Sequence, residues 1–169
     1  MDSHELLEVI NYKGEVIDIL PRSVIHGNPS LIHRVIHVLV FNSRGELLLQ
    51  KRSIKKDVAP GRWDTSVGGH VNPGESLLQA VSREMKEELG ITSCIPKFLY
   101  SYIHSNSFET ELVFTYSCIY DGRISFSDEI EEVRPWSIKE IYDNMGTEIF
   151  SDNFEQEIFT YAQFAGIAP

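Results

Sequence analysis

Residues 69–91 read GHVNPGESLLQAVSREMKEELGI and carry the strongest helical pattern of the chain. Its apolar side chains recur at steps of three and four residues, the spacing of one helix face, and they are Leu77, Leu78, Val81, Met85 and Leu89. Pro73 and Gly74 precede the pattern, and Gly90 follows it at the position where a left-handed residue ends a helix. The pattern predicts a helix over residues 76–89 with one face against a core.

The other face of this predicted helix is acidic. Glu84 and Glu88 are four residues apart and Glu87 is three from Glu84, so all three carboxylates can lie on one side. Like charges at this spacing repel unless a hard divalent cation such as Mg²⁺ or Mn²⁺, which prefers carboxylate oxygens, lies among them. Such a cation can also bridge diphosphate oxygens and activate water. The alternative is a solvated acidic surface, which is the more frequent use of such a face.

The remaining chain mixes strand patterns with two further helices. Predicted strands cover residues 8–11, 15–19, 34–41, 46–50, 98–103 and 111–120, and predicted helices cover residues 137–144 and 153–164. The first two strands form a predicted N-terminal hairpin over about residues 8–20, and the next two a second hairpin. Because strands and helices do not alternate regularly, the predicted fold is α/β of the α+β type, a mixed β-sheet sandwiched between helices in one domain over residues 1–169.

Composition limits the classes of partner. A formal net charge of −10 disfavours binding to a nucleic-acid polymer, so an anionic ligand requires a local basic patch or bound cations. No apolar run approaches the roughly 20 residues of a membrane helix, and no signal peptide is evident. Cys94 and Cys118 are too few and too isolated for a disulfide framework. We therefore expect a cytoplasmic protein, monomer or homodimer, that acts on a small molecule.

The 69–91 segment resembles the complete Nudix box. Gly69 is followed after five residues by Glu75, and after seven more by the run Arg83-Glu84-Met85-Lys86-Glu87-Glu88-Leu89-Gly90-Ile91. The resemblance implies a metal-dependent pyrophosphohydrolase that uses Mg²⁺ or Mn²⁺. It assigns metal binding to Glu84, Glu87, Glu88 and Gly69, and catalysis to these glutamates and Arg83. In this family Arg83 holds a box glutamate in position, and Glu87 is a ligand or the general base.

The run HRVIHVLVFNSRGELLLQKRSIKKDVAPGRWDTSVGGHVNPGES, residues 33–76, is similar to one Nudix branch, that of the type 1 isopentenyl-diphosphate isomerases. This resemblance implies a second metal site with ligands at His26, His33, His70, Glu109 and Glu111. Such a mixed nitrogen and oxygen set suits a transition metal. Spacing alone does not show that these residues converge, and the alternative is that they are ordinary loop and strand residues.

The resemblance to the isomerases also implies a basic loop that contacts the substrate diphosphate, with Lys51, Arg52, Lys55 and Lys56. Gly68 departs from the pattern because it stands where those isomerases carry a catalytic cysteine, whereas the box, degraded in the isomerases, is intact here. Three functions stay open: hydrolysis of a diphosphate linkage, isopentenyl-diphosphate isomerisation and a non-catalytic metabolite sensor.

Trp63 and Trp136 are candidates either for packing or for stacking on a base. Asp128, Glu129, Glu131 and Glu132 are predicted surface charges, any one of which is an alternative base.

Overall fold

The computed structural model describes residues 4–167. The strands are β1 (Leu6–Ile10), β2 (Val16–Pro21), β3 (Ile32–Phe41), β4 (Leu47–Arg52), β5 (Trp63–Asp64), β6 (Val67–His70), β7 (Lys97–Ser105), β8 (Thr110–Ile119) and β9 (Ile130–Trp136). The helices are α1 (Arg22–Ile25), α2 (Leu77–Leu89), α3 (Ile138–Asp143) and α4 (Asp152–Ala165). None of the helices described is long and apolar enough to cross a membrane.

Strand β3 is the centre of the sheet. It pairs in parallel with β8 from Ile32↔Thr110 to Phe41↔Ile119, and antiparallel with β6 from Val35↔His70 to Val38↔Val67. Eight of its ten residues are buried, which explains its nearly continuous apolar sequence. The sheet is therefore mixed, and the predicted fold class is confirmed.

Helix α2 has the predicted position and both predicted ends. Ser76 and Gln79 form a reciprocal capping box at its start, and Gly90 ends it with a φ of 68°. The buried face packs against β3 and β8 in a core that includes Val81, Met85 and Leu89. On the other side of the sheet, α4 packs its own apolar residues into a second core with residues of β3 and β4. The two helices hold the sheet between them.

The predicted N-terminal hairpin is confirmed, since β1 and β2 pair antiparallel. The second predicted hairpin is only partly correct. Strands β3 and β4 are joined by a tight turn but pair only at Phe41↔Leu47, because β4 turns away to pair with β9 over its whole length. The sequence patterns missed β5, β6, β9 and α1. These elements are short or contain glycine, proline or several charges, so their local propensity for regular structure is weak.

Candidate active site

One cavity of about 370 Å³ collects most of the predicted site residues. Its lining includes the box carboxylates Glu84, Glu87 and Glu88, the histidines His26 and His70, the acids Glu109 and Glu111, and the cations Arg52 and Lys56. These side chains come from α2, β6, β8 and the loop before it, the segment after α1, the end of β4 and the loop after β4. The fold therefore brings together groups that are far apart in the sequence.

Arg83 forms hydrogen bonds to two glutamates of the box and to the end of β6. Its Nε donates to Glu75 Oε1 at 2.8 Å and its Nη1 donates to Glu84 Oε1 at 2.6 Å, although Glu75 lies eight residues away. A further hydrogen bond runs from Nη2 to the carbonyl oxygen of His70 at 2.9 Å. The hydrogen bond from Arg83 lowers the pKa of Glu75, which stays ionised. Arg83 thus fixes the start of α2 and the end of β6 relative to each other.

The absence of a side chain at Gly69 leaves room for Glu84 beside β6. A Cβ atom on Gly69 would lie only 2.6 Å from Cγ of Glu84, and closer still to its carboxylate. The bare glycine therefore lets the Glu84 side chain rest against the backbone of β6. Burial raises the pKa of Glu84 in the metal-free protein, against the opposing effect of Arg83.

Glu88 is the most buried of the three box carboxylates. It accepts hydrogen bonds from the side-chain amide of Gln50 and from the backbone N–H of Gly68, the latter at 3.2 Å. Burial and the nearby charge of Glu84 raise its pKa to about 8. A cation beside these carboxylates would relieve both effects, since it favours their ionised forms.

The box carboxylates are less tightly clustered than their spacing allows. Within residues 4–167, only two groups of three acidic, histidine or cysteine residues bring their ligand atoms within 4.8 Å of one another, and neither includes a box glutamate. One group is His26, His33 and His70, and the other is His33, Glu109 and Glu111. The five residues of the second predicted site therefore do converge, with His33 shared between the two groups.

The histidine cluster lacks internal hydrogen bonds. His33 is fully buried, and neither of its ring nitrogens has a hydrogen-bond partner among the residues described. Its Nε2 lies 3.7 Å from Glu111 Oε1, and His26 Nε2 lies 3.3 Å from Glu109 Oε2, both without hydrogen-bond geometry. Burial, helped by neighbouring positive charge, lowers the pKa of His33 to about 3 and that of His26 to about 4.

These observations fit a metal at the histidine cluster. Histidine coordinates a metal in its neutral form. A buried ring nitrogen without a partner destabilises the folded state unless a hydrogen bond or a metal satisfies it. Burial and the adjacent Glu109 raise the pKa of Glu111 to about 7, and a bound cation would favour its ionised form. A carboxylate contacts the His70 ring, since Nδ1 of His70 lies 3.0 Å from Glu5 Oε1. Carboxylates commonly orient ligating histidines in this way.

Two of the four cations in the predicted basic loop line the cavity and two do not. Arg52 and Lys56 line the cavity, whereas Lys51 and Lys55 do not. Arg52 donates from Nε to the carbonyl oxygen of Val58 at 2.8 Å, which closes the loop onto its own start. Lys51 instead lies 3.7 Å from Glu131, an ion pair across β4 and β9.

Other predicted candidates lie outside the cavity or at its rim. Trp63 and Trp136 pack edge to face at 5.2 Å in the second core, which agrees with the packing alternative. Glu129 reaches the cavity and lies 3.2 Å from Lys56, while Glu131 and Glu132 are not part of the lining.

Sequence patterns did not reveal several polar residues of the cavity, among them Glu5, Arg22, Gln50 and Asp64. Each is an isolated polar residue without a spacing that distinguishes it from surface. Arg22 adds a third cation to the cavity and pairs with Glu5 at 3.6 Å. No pattern in the sequence around Arg22 indicated that its side chain would line the cavity.

Comparison with known proteins assigns the family. The model of the Nudix domain matches residues 31–156. The chain belongs to the Nudix domain family. A segment of 133 residues is 33% identical to Nudix hydrolase 3 of Arabidopsis thaliana, covering 78% of this chain and 16% of that protein. The isopentenyl-diphosphate Delta-isomerase of Saccharopolyspora erythraea is 32% identical over 107 residues, 60% of this chain and 55% of that enzyme.

This Nudix chain also shares its fold with solved structures. The crystal structure of DR0079 from Deinococcus radiodurans superposes with a TM-score of 0.81 at 24% identity, covering 92% of this chain and 98% of that one. The matched part spans less than two thirds of the length of each of the two sequence relatives. These matches show the family and the fold.

Proposed function

We propose that this Nudix chain is a divalent-metal-dependent hydrolase of a diphosphate linkage in a small molecule, such as a nucleoside diphosphate linked to another moiety. One observation carries the proposal. The same cavity is lined by the ionisable carboxylates Glu84 and Glu88 and by two side chains that can bind an anion, Arg52 and Lys56. The lining holds nine carboxylates against three arginine and lysine cations, so in a chain of net charge −10 an anionic substrate needs bound metal as well as these cations.

The residues divide into three roles. Glu84, Glu87 and Glu88, with the backbone of Gly69, hold Mg²⁺ or Mn²⁺, and Arg83 positions Glu84 and the end of β6. Arg52 and Lys56 bind the diphosphate oxygens by charge-assisted hydrogen bonds. Bound metal supplies charge neutralisation on the phosphate groups and a lowered pKa for water. Glu87, the most exposed of the three box carboxylates, is the candidate base for the attacking water.

A second metal at the histidine cluster is part of the proposal. His26, His33, His70, Glu109 and Glu111 would hold a transition metal such as zinc or manganese. The unpartnered nitrogens of His33 are the observation that supports this assignment.

Isomerisation of isopentenyl diphosphate is the second candidate, favoured by the histidine cluster. Gly68 argues against it, because this cavity residue has no side chain with which to move a proton. A non-catalytic sensor is the third candidate, and the intact box argues against lost catalysis.

One screen separates these candidates. The chain is incubated with a panel of diphosphate compounds, including isopentenyl diphosphate, in the presence of Mg²⁺ or Mn²⁺, and phosphate products and isomerisation are followed together. The proposal expects metal-dependent release of a phosphate product from at least one compound. Isomerisation without release would favour the second candidate, and binding without turnover would favour a sensor.

A further inference from the structure

A buried polar cluster lies between the cavity and α4, and it has no role in the proposed site. At its centre is Glu157 of α4, which is 0% exposed. Its carboxylate accepts hydrogen bonds from Tyr100 OH at 2.5 Å and from Thr115 Oγ1 at 2.8 Å, and it lies 2.9 Å from His37 Nδ1. All three contacts come from the sheet.

These contacts determine where the protons are. The two hydroxyl groups donate to the Glu157 oxygens, so these oxygens act as acceptors and His37 donates to them from Nδ1. In the described part of the chain, His37 is the one basic group within ion-pair distance of this buried carboxylate. Burial opposes a charge on the ring, but the hydrogen bond and charge of Glu157 outweigh it and raise the pKa of His37. A buried charge is costly unless it is paired, so Glu157 and a protonated His37 stabilise each other.

The opposite edge of the His37 ring faces the cavity. His37 lines the same cavity as Glu88 and Glu111, and no residue from 4 to 167 forms a hydrogen bond with its Nε2. Gly68 lies opposite His37 in the β3–β6 register. A Cβ atom on Gly68 would lie 3.2 Å from Cδ2 and 3.5 Å from Nε2 of His37, so the glycine leaves this ring edge uncovered.

We propose that His37 is a substrate-contacting residue: with Nδ1 held by Glu157, it donates a hydrogen bond from Nε2 to a phosphoryl oxygen of the diphosphate in the cavity. This inference rests on the proposed hydrolase function and adds a donor from β3 to the cavity. Besides Glu157, the charged side chains that act on His37 are the acids Glu111 and Asp64, and Asp64 lies 3.5 Å from Arg52, so His37 and Arg52 can attract an anion from two strands beside these acids.

Two substitutions separate contact with substrate from support of the fold. An asparagine amide can reach the position of Nδ1, so His37→Asn keeps the bond to Glu157 and removes the nitrogen that faces the cavity. A glutamine amide extends to the position of Nε2, so His37→Gln keeps a donor in the cavity and weakens the bond to Glu157. His104→Asn is the matched control, because His104 is also buried and bonded to α4, through Gln156 at 2.6 Å, but does not line the cavity.

The probe is methylenediphosphonate with Mg²⁺, a diphosphate that is not hydrolysed, and its affinity is measured by calorimetry. Loss of one charge-assisted hydrogen bond predicts an affinity about 10-fold weaker for His37→Asn. His37→Gln should retain more of the affinity, and His104→Asn should match wild type. A purely structural role predicts the reverse order, with His37→Asn close to wild type and His37→Gln weaker.

A measurement on the unmodified chain covers the case in which the variants do not fold. The ¹⁵N resonance of His37 Nε2 should shift when the probe and Mg²⁺ are added, and the Nδ1 resonance should change less. An unmoved Nε2 resonance in a protein that binds the probe overturns the role of His37 and leaves the hydrolase proposal intact. A wild-type protein that neither binds the probe nor hydrolyses any diphosphate overturns both.

Discussion

Substituting Gly69 by alanine tests whether the backbone of β6 holds Glu84 in its working position. The new Cβ would overlap the Glu84 carboxylate and lie 2.6 Å from Cγ, whereas carbon atoms need about 3.5 Å, so the side chain must move by at least about 1 Å. Gly69 does not have a positive φ, so its backbone accepts alanine without strain. The displaced atoms belong to the far end of a flexible side chain, and overpacking of this kind costs about 1–3 kcal/mol at most.

The effect on catalysis should exceed the effect on stability. A displacement of about 1 Å at a catalytic group reduces the rate roughly 100-fold. We therefore expect Gly69→Ala to fold, to lower kcat/KM for metal-dependent hydrolysis by about two orders of magnitude, and to weaken Mg²⁺ binding. Thermal unfolding, calorimetric titration with Mg²⁺ and steady-state kinetics measure the three quantities.

A double-mutant cycle shows whether Gly69 acts through Glu84. If it does, Gly69→Ala combined with Glu84→Gln should be no less active than Glu84→Gln alone, because the carboxylate it displaces is already gone. Gly69→Ala with wild-type kinetics, or with losses that add fully to those of Glu84→Gln, would refute this reasoning.

Three further predictions concern other parts of the site. The pKa of the Glu88 carboxyl group is raised from 4.5 to about 8, so the folded metal-free protein binds the Glu88 proton more tightly than the unfolded chain. The free energy of unfolding should therefore fall as the pH rises from 4.5 to about 8, by at most about 5 kcal/mol. Glu88→Gln should lack this loss in pH-dependent unfolding, while hydrolysis falls roughly 100-fold; unchanged turnover in limiting Mg²⁺ would exclude Glu88 from the site. Combining His33→Ala with His70→Ala should weaken zinc binding by at least roughly 100-fold, and equal affinity in both proteins would leave these histidines structural. Arg52→Gln should raise KM about 10-fold, whereas Arg44→Gln, a surface control, should not; equal KM values would remove Arg52 from substrate binding.

The sequence predicted the helix of the box well because its signals are local. The apolar period and the left-handed Gly90 lie within one continuous segment, and the structure reproduces both and adds a capping box at Ser76. Local signals also identified the strands β3 and β8. They could not show that these two strands, separated by about 70 residues, pair in parallel, because no turn connects them directly.

The polar contacts that complete the site were not predictable in the same way. Glu157 reaches His37 across 120 residues, and Glu5 reaches His70 across 65. Each of these residues, taken alone, resembles an ordinary surface acid or strand histidine. Their function depends on which face of the sheet α4 and the N-terminal hairpin cover, a property of tertiary packing that has no period in the sequence. The resemblance to the isomerases suggested the histidine cluster, and the fold then brought its members together.

The proposed reaction is cleavage of a diphosphate by addition of water with the help of the α2 carboxylates. The most direct measurement is hydrolysis in H₂¹⁸O with Mg²⁺, using the best diphosphate from the screen and reading ¹⁸O in the phosphate products by ³¹P NMR. We expect one ¹⁸O atom per turnover in a phosphate product of the wild-type protein, and a rate roughly 100-fold lower for Glu88→Gln. Products without ¹⁸O, or turnover that is equal in the two proteins, would contradict it.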